Sequence, residues 1–166
     1  MTATQRWLFY IGIGMNNDLK WKMRYIQLAA DVSSWSKDPN AKVGAVVVGS
    51  KGQVLSQGYN GFPRGVNDHV ERYNDRKEKH NYVVHAEMNA IYNASYTGVS
   101  LDGATIYVYG LPVCNECAKG IIQVGIKSVV VATPEELEIN PRWVDSWSCT
   151  TSMFDETGVE YEWIRV

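Results

Sequence analysis

Residues 105–131 read TIYVYGLPVCNECAKGIIQVGIKSVVV. Thr105 to Tyr109 reads as a strand, Cys117 to Val124 as a helix and Ser128 to Val131 as a second strand. A strand–helix–strand unit predicts two parallel strands joined by a right-handed crossover, and so an α/β sheet rather than an all-helical or all-β fold. Two thiols, Cys114 and Cys117, fall where the crossover helix begins. The positive end of the helix dipole favours anions there, which helps to hold both sulfurs as thiolates.

The same reading extends outward in both directions. Asp18 to Ser34 places Leu19, Met23, Ile26 and Ala30 on one face of a helix, which Lys37-Asp38-Pro39-Asn40 then breaks. Val43 to Val48 is a continuous apolar strand, Ser50-Lys51-Gly52 a turn, and Val54 to Gly58 its hairpin partner. Tyr59 to Tyr82 is long, polar and loop-like, and a loop of that length is a candidate for ligand contact. Ala86 to Ala94 predicts a helix beginning at His85, Trp147 to Glu156 another helix, and Val159 to Ile164 a final strand. The order α-β-β-α-β-α-β-α-β predicts a three-layer α-β-α sandwich with a five-stranded mixed sheet.

A chain of 166 residues is expected to form one domain, residues 1–166, with residues 1–17 as an N-terminal extension. Within that extension Trp7 to Met15 is apolar, but Gly12 and Gly14 interrupt it and it is too short to span a bilayer. Arg6 precedes it without a small-residue cleavage site, so an added strand or an oligomer contact is the expected use. The formal net charge is −2 and no basic run appears, which favours a small substrate over a polynucleotide. Of three cysteines, Cys149 is left unpaired, as suits a reducing cytoplasm.

His85-Ala86-Glu87 adds an imidazole and, two residues on, a carboxylate. One imidazole and two thiolates suit Zn²⁺, and three protein ligands leave one tetrahedral position open, as catalytic sites do. Glu87 is placed to face that open position without binding the metal. Taken alone, Cys114-Asn115-Glu116-Cys117 could equally be a redox pair, half of a zinc ribbon or two buried thiols. A ribbon needs a second cysteine pair, which this chain lacks, and a thioredoxin-like pair would follow an early strand.

Several stretches resemble deoxycytidylate deaminases of the cytidine deaminase superfamily. These are Ser36-Lys37-Asp38-Pro39 leading into Val43-Gly44-Ala45, Gly58-Tyr59-Asn60-Gly61-Phe62-Pro63-Arg64-Gly65, His85-Ala86-Glu87-Met88-Asn89-Ala90-Ile91, Cys114-Asn115-Glu116-Cys117-Ala118-Lys119 and the run from Ile121 to Ile126. The resemblance covers roughly residues 18 to 131, with a weaker echo at Met153-Phe154 and Gly158-Val159. It implies a cytidine-deaminase-like fold and hydrolysis of dCMP to dUMP and ammonia. His85, Cys114 and Cys117 would hold one catalytic Zn²⁺ per subunit, with Glu87 as general base and acid. Asn60 resembles a sugar contact, its alternative being a turn asparagine before Gly61. Asn40, Lys42 and Arg64 lie on loops expected to flank the pocket, as candidate phosphate donors or as ordinary solvated side chains. His69 and His80 are expected on surface loops.

Two departures stand out. Val113 separates Pro112 from Cys114 where relatives place proline directly before the cysteine, which is expected to lengthen the loop beside the base pocket. Pro134 to Cys149 matches poorly, and Trp143 and Trp147 both compete to pack on the substrate. The resemblance further implies a cytoplasmic homohexamer activated by dCTP with Mg²⁺ and inhibited by dTTP. Tyr59, Gly61, Arg64 and Asn89 are the candidate effector residues, in a loop whose Gly58, Gly61 and Gly65 permit two arrangements. Asn89 could instead cap a buried turn. The alternatives are a deaminase of a free nucleoside or base, kept open by Val113, and a non-catalytic zinc-stabilised nucleotide sensor.

Overall fold

The structure is a computed structural model that describes residues 17–166. The expectation for Trp7 to Met15 lies outside these residues. Eleven elements are described: α1 (Asn17–Ser33), β1 (Gly44–Val48), β2 (Val54–Tyr59), α2 (Val70–Asn74), α3 (Arg76–Tyr82), α4 (Ala86–Thr97), β3 (Thr105–Tyr109), α5 (Asn115–Gln123), β4 (Ser128–Thr133), α6 (Pro141–Thr157) and β5 (Glu160–Arg165). The strands form one sheet in the order β2-β1-β3-β4-β5. β1 runs antiparallel to β2 and β3, whereas β3, β4 and β5 are mutually parallel, so the sheet is mixed as expected.

Side chains alternate across the sheet with the two-residue period of a strand. Ala45, Val47, Ile106, Val108, Val129 and Val131 face a core shared with α4, α5 and α6. Val46 and Val48 face the other way, against Tyr25, Ala29 and Val32 of α1. Val130 and Ala132 meet Met23 and Ile26 of the same helix. One helix therefore covers one face and three cover the other, which gives the three-layer α-β-α sandwich. Burial on both faces explains why β1 reads as an unbroken apolar run.

Residues 60–82 depart from the expected loop, because the segment contains α2 and α3. Neither helix has an apolar stripe; they are held by tertiary contacts instead. Phe62 stacks on Tyr73 at 4.3 Å and packs against Tyr82 at 5.8 Å, and Arg72 lies over the Tyr82 ring at 4.7 Å. Asp75 caps α3 by accepting from the Glu78 N–H at 2.9 Å. Gly58 lies within β2, as the hairpin reading expects, and an added Cβ there would sit 2.3 Å from the Ala90 nitrogen. Its role is to let α4 approach the sheet. Gly65 alone in that stretch has a left-handed backbone, at φ 79°.

Candidate active site

A cavity of about 880 Å³ opens where β3 and β4 end and α4 and α5 begin, lined among others by His85, Glu87, Gly110, Pro112, Pro134 and Trp143. Ligands of α/β sheets gather at the carboxyl ends of parallel strands, so the position follows from the topology. His85 is the N-cap of α4 and Cys114 the N-cap of α5. The helix starts at Asn115 rather than Cys117, and the Cys114 sulfur accepts from the Cys117 N–H at 3.4 Å. His85 Nδ1 lies 3.4 Å from the Sγ of Cys114 and 3.4 Å from that of Cys117. The ligand atoms of all three residues lie within 4.8 Å of one another. Two ligands about 2.2 Å from one tetrahedral centre stand roughly 3.5 Å apart, so the triangle fits a zinc ion in both size and donor chemistry.

Hydrogen bonds from Cys117 and His85 draw the Cys114 thiol down to about 4. The hydrogen bond with Cys114 holds the His85 imidazole above its ordinary value. Glu87, in the first turn of α4, is 3% exposed, and burial pushes its carboxyl up to about 6. A buried carboxyl beside a metal triangle is the arrangement that proton transfer requires.

Helix α6 fixes the loop that carries the cysteines. The Thr150 hydroxyl donates to the Val113 carbonyl at 3.0 Å, and Ser146 accepts from the Asn115 N–H and donates to the Asn115 side chain. The Val113 side chain is fully buried in the main core and does not line the cavity, whereas the preceding Leu111 and Pro112 do. Trp143 does line the cavity, its ring 6.4 Å from that of His85. Trp147 instead packs edge-on against Tyr161 and Trp163.

Asn40, Lys42 and Asn60 all line the cavity. Asn60 is buried and its amide is fully engaged: Oδ1 accepts from Val43 N–H at 2.8 Å, and Nδ2 donates to the Ala41 carbonyl at 2.8 Å. Lys42 Nζ donates to the Ser36 carbonyl. Arg64 is a correction, because it is absent from the cavity wall: it hydrogen-bonds Asn93 and lies over the Tyr96 ring on the exposed side of α4. Asn89 donates to the Tyr59 carbonyl at 2.8 Å, and Gly61 pairs with Val84. Tyr59, Gly61, Arg64 and Asn89 thus follow one strip along α4, outside the cavity.

Sequence reasoning missed the wall supplied by α3. Arg76, Lys79 and His80 all line the cavity, as does Arg142 of α6. Lys79 pairs with the buried Asp38, whose carboxylate also accepts from the N–H groups of Asn40 and Ala41. The capping pattern Asp75-x-x-Glu78 was the available signal for α3.

Residues 19–133 match the family model of the cytidine and deoxycytidylate deaminase zinc-binding region. The chain belongs to the cytidine and deoxycytidylate deaminase family. It is 40% identical over 146 residues to an uncharacterized deaminase of Aliivibrio fischeri, covering 87% of this chain and 94% of that protein. It is 46% identical over 121 residues to a probable deoxycytidylate deaminase of Caenorhabditis elegans, covering 70% of this chain and 59% of that protein. Among solved structures, the dCMP deaminase of cyanophage S-TIM5 in complex with dCMP and dUMP superposes with a TM-score of 0.66 at 27% identity, over 91% of this chain and all of that one.

Proposed function

We propose that this chain hydrolyses dCMP to dUMP and ammonia, with one Zn²⁺ held by His85, Cys114 and Cys117. The observation that carries the reading is the buried Glu87 carboxyl, which lines one cavity with His85, the imidazole of the His/Cys/Cys triangle. The family match and the cyanophage dCMP deaminase support it. A zinc ion in the triangle supplies Lewis acidity that brings the pKa of a water toward ~7.

Glu87 then takes a proton from the attacking water and passes it to ring N3 as the C4–O bond forms. The remaining hydroxyl proton travels by the same carboxylate to the amino nitrogen. The C4–N bond breaks, ammonia leaves and C4 keeps a carbonyl. Trp143 bounds the base side of the cavity, while Asn60 holds the strand-edge loop that carries Asn40 and Lys42. Val113, turned into the core, gives no support to the free-nucleoside alternative, and a mere sensor has no use for Glu87.

Regulation belongs to the same reading. A homohexamer in which dCTP with Mg²⁺ activates and dTTP inhibits would read its effectors at the strip of Tyr59, Gly61, Arg64 and Asn89. The exposed Tyr59 and Arg64 support it, because they offer a ring face and a guanidinium outside the cavity. Among the described residues no helix is long and apolar enough to cross a membrane. The free Cys149 suits the cytoplasm. Ammonia release by the zinc-loaded protein from dCMP, cytidine, dCTP and adenosine tests the function, with turnover expected for dCMP. Preference for cytidine would favour the nucleoside alternative.

A further inference from the structure

We propose that Arg76 of α3 and Arg142 of α6, with the neutral His80 imidazole beside them as a hydrogen-bond donor, form a rim that reads the 5′-phosphate of the nucleotide and selects it over the nucleoside. This deepens the proposed function and rests on its placing a pyrimidine nucleotide in the cavity. Arg76, Lys79 and His80 stand at i, i+3 and i+4, so they share one helix face, and all three line the cavity. Arg142 approaches from the first turn of α6.

In a chain of formal net charge −2, Lys42, Arg76, Lys79 and Arg142 all line this one cavity. The acidic side chains of the cavity are Asp38 and Glu87. Asp38 is already paired with Lys79, and Glu87 is buried beside the metal triangle. Lys42 is turned to the Ser36 carbonyl. Among the described residues, Arg76, His80 and Arg142 face the cavity without an acidic partner. Their fields converge, since Arg76, Arg142 and Lys79 add to burial in holding the His80 imidazole below its ordinary value. Such a cluster stabilises a dianion that enters the mouth.

The helix is held in place for this task. The Lys79–Asp38 pair ties α3 to the loop carrying Asn40 and Lys42, and Lys37 reaches Asp68 at 2.7 Å from the same loop. The cavity, at about 880 Å³, accommodates a nucleotide.

The test uses the zinc-loaded full chain and product-like ligands, so it does not depend on turnover. Calorimetric Kd values for dUMP and deoxyuridine are compared in the parent and in the R76Q/R142Q and H80Q variants, with melting curves checking the fold. The parent should bind dUMP at least about a hundredfold tighter than deoxyuridine. R76Q/R142Q should lose most of that gap, at about tenfold per charged contact, with the deoxyuridine value unchanged. H80Q should lose a smaller share. Equal affinities in the parent, no dUMP binding, or a gap that survives in R76Q/R142Q would each overturn the rim. A full gap in a protein that releases no ammonia from dCMP would leave the rim standing and sink the deaminase reading instead.

Discussion

Lys79 Nζ lies 2.5 Å from Asp38 Oδ2, with 1% of the Asp38 side chain exposed, so an ion pair spanning 41 positions of sequence closes the cavity wall. Removing one partner of a buried pair leaves the other charge uncompensated. Asp38→Asn should therefore destabilise the fold by about 3 kcal/mol. Adding Lys79→Met should restore part of that loss, because the orphaned ammonium disappears. Denaturant midpoints of the single and double variants check it; additive losses would show that the pair is not coupled.

Zinc content is the second expectation. The parent should carry about one Zn²⁺ per subunit, since the described residues offer one His/Cys/Cys group. Cys117→Ala should lose the metal and lower the melting temperature together, because metal-binding energy is folding energy. A chelator should lower the parent's melting temperature and leave that of Cys117→Ala where it is. Two zinc ions by elemental analysis would contradict the single-site reading.

For the chemistry, Glu87→Gln keeps the size of the side chain but cannot accept the water's proton. Its turnover of dCMP should fall by about 10²–10⁴-fold with zinc content unchanged. A variant within tenfold of the parent would rule out Glu87 as the proton carrier.

The two tryptophans of α6 should separate cleanly. Trp143→Ala opens the cavity wall beside His85 and should raise KM for dCMP with a small change in melting temperature. Trp147→Ala removes rings packed at 5.9 Å on Tyr161 and 5.6 Å on Trp163, so it should cost about 3 kcal/mol of stability and spare KM. The reverse pattern would mean that Trp147 is the substrate-facing ring.

What the sequence disclosed, and what it hid, has a physical pattern. The strands were legible because β1 and β4 are buried on both faces and read as β-branched runs, while β3 alternates buried and half-buried side chains. The His85, Glu87, Cys114 and Cys117 group was legible because metal ligation demands particular donors at helix starts. Helices α2 and α3 were not, since Val70-Glu71-Arg72-Tyr73-Asn74 and the run Arg76 to Tyr82 are polar and short. Their stability comes from the Phe62–Tyr73 stack and the Lys79–Asp38 pair, which no local window contains. Hence Arg76, Lys79 and His80 went unread as cavity residues. The direction of the Val113 side chain was hidden for a related reason: a loop insertion is visible in sequence, but where its side chain turns is decided by the core it enters.

Regulation gives the last expectation, and it turns on Arg64. Its guanidinium bonds Asn93, one helical turn from Asn89, and lies 5.3 Å from the centre of the Tyr96 ring. Asn89 in turn bonds the Tyr59 carbonyl, and its helix begins at His85 and Glu87. An effector phosphate that captured Arg64 would release Asn93 from this contact. The disturbance has a short path along α4 to the catalytic end. A coupling free energy of ~1–3 kcal/mol between the two sites would be ordinary for such a switch. With dCTP and Mg²⁺, a sigmoidal dCMP saturation curve should become hyperbolic, and dTTP should lower activity. Arg64→Ala should stay sigmoidal at dCTP concentrations that straighten the parent's curve. Light scattering should report a hexamer. Should neither nucleotide shift the parent's curve, the strip along α4 is structural, and Arg64 serves only to clasp Asn93 and Tyr96.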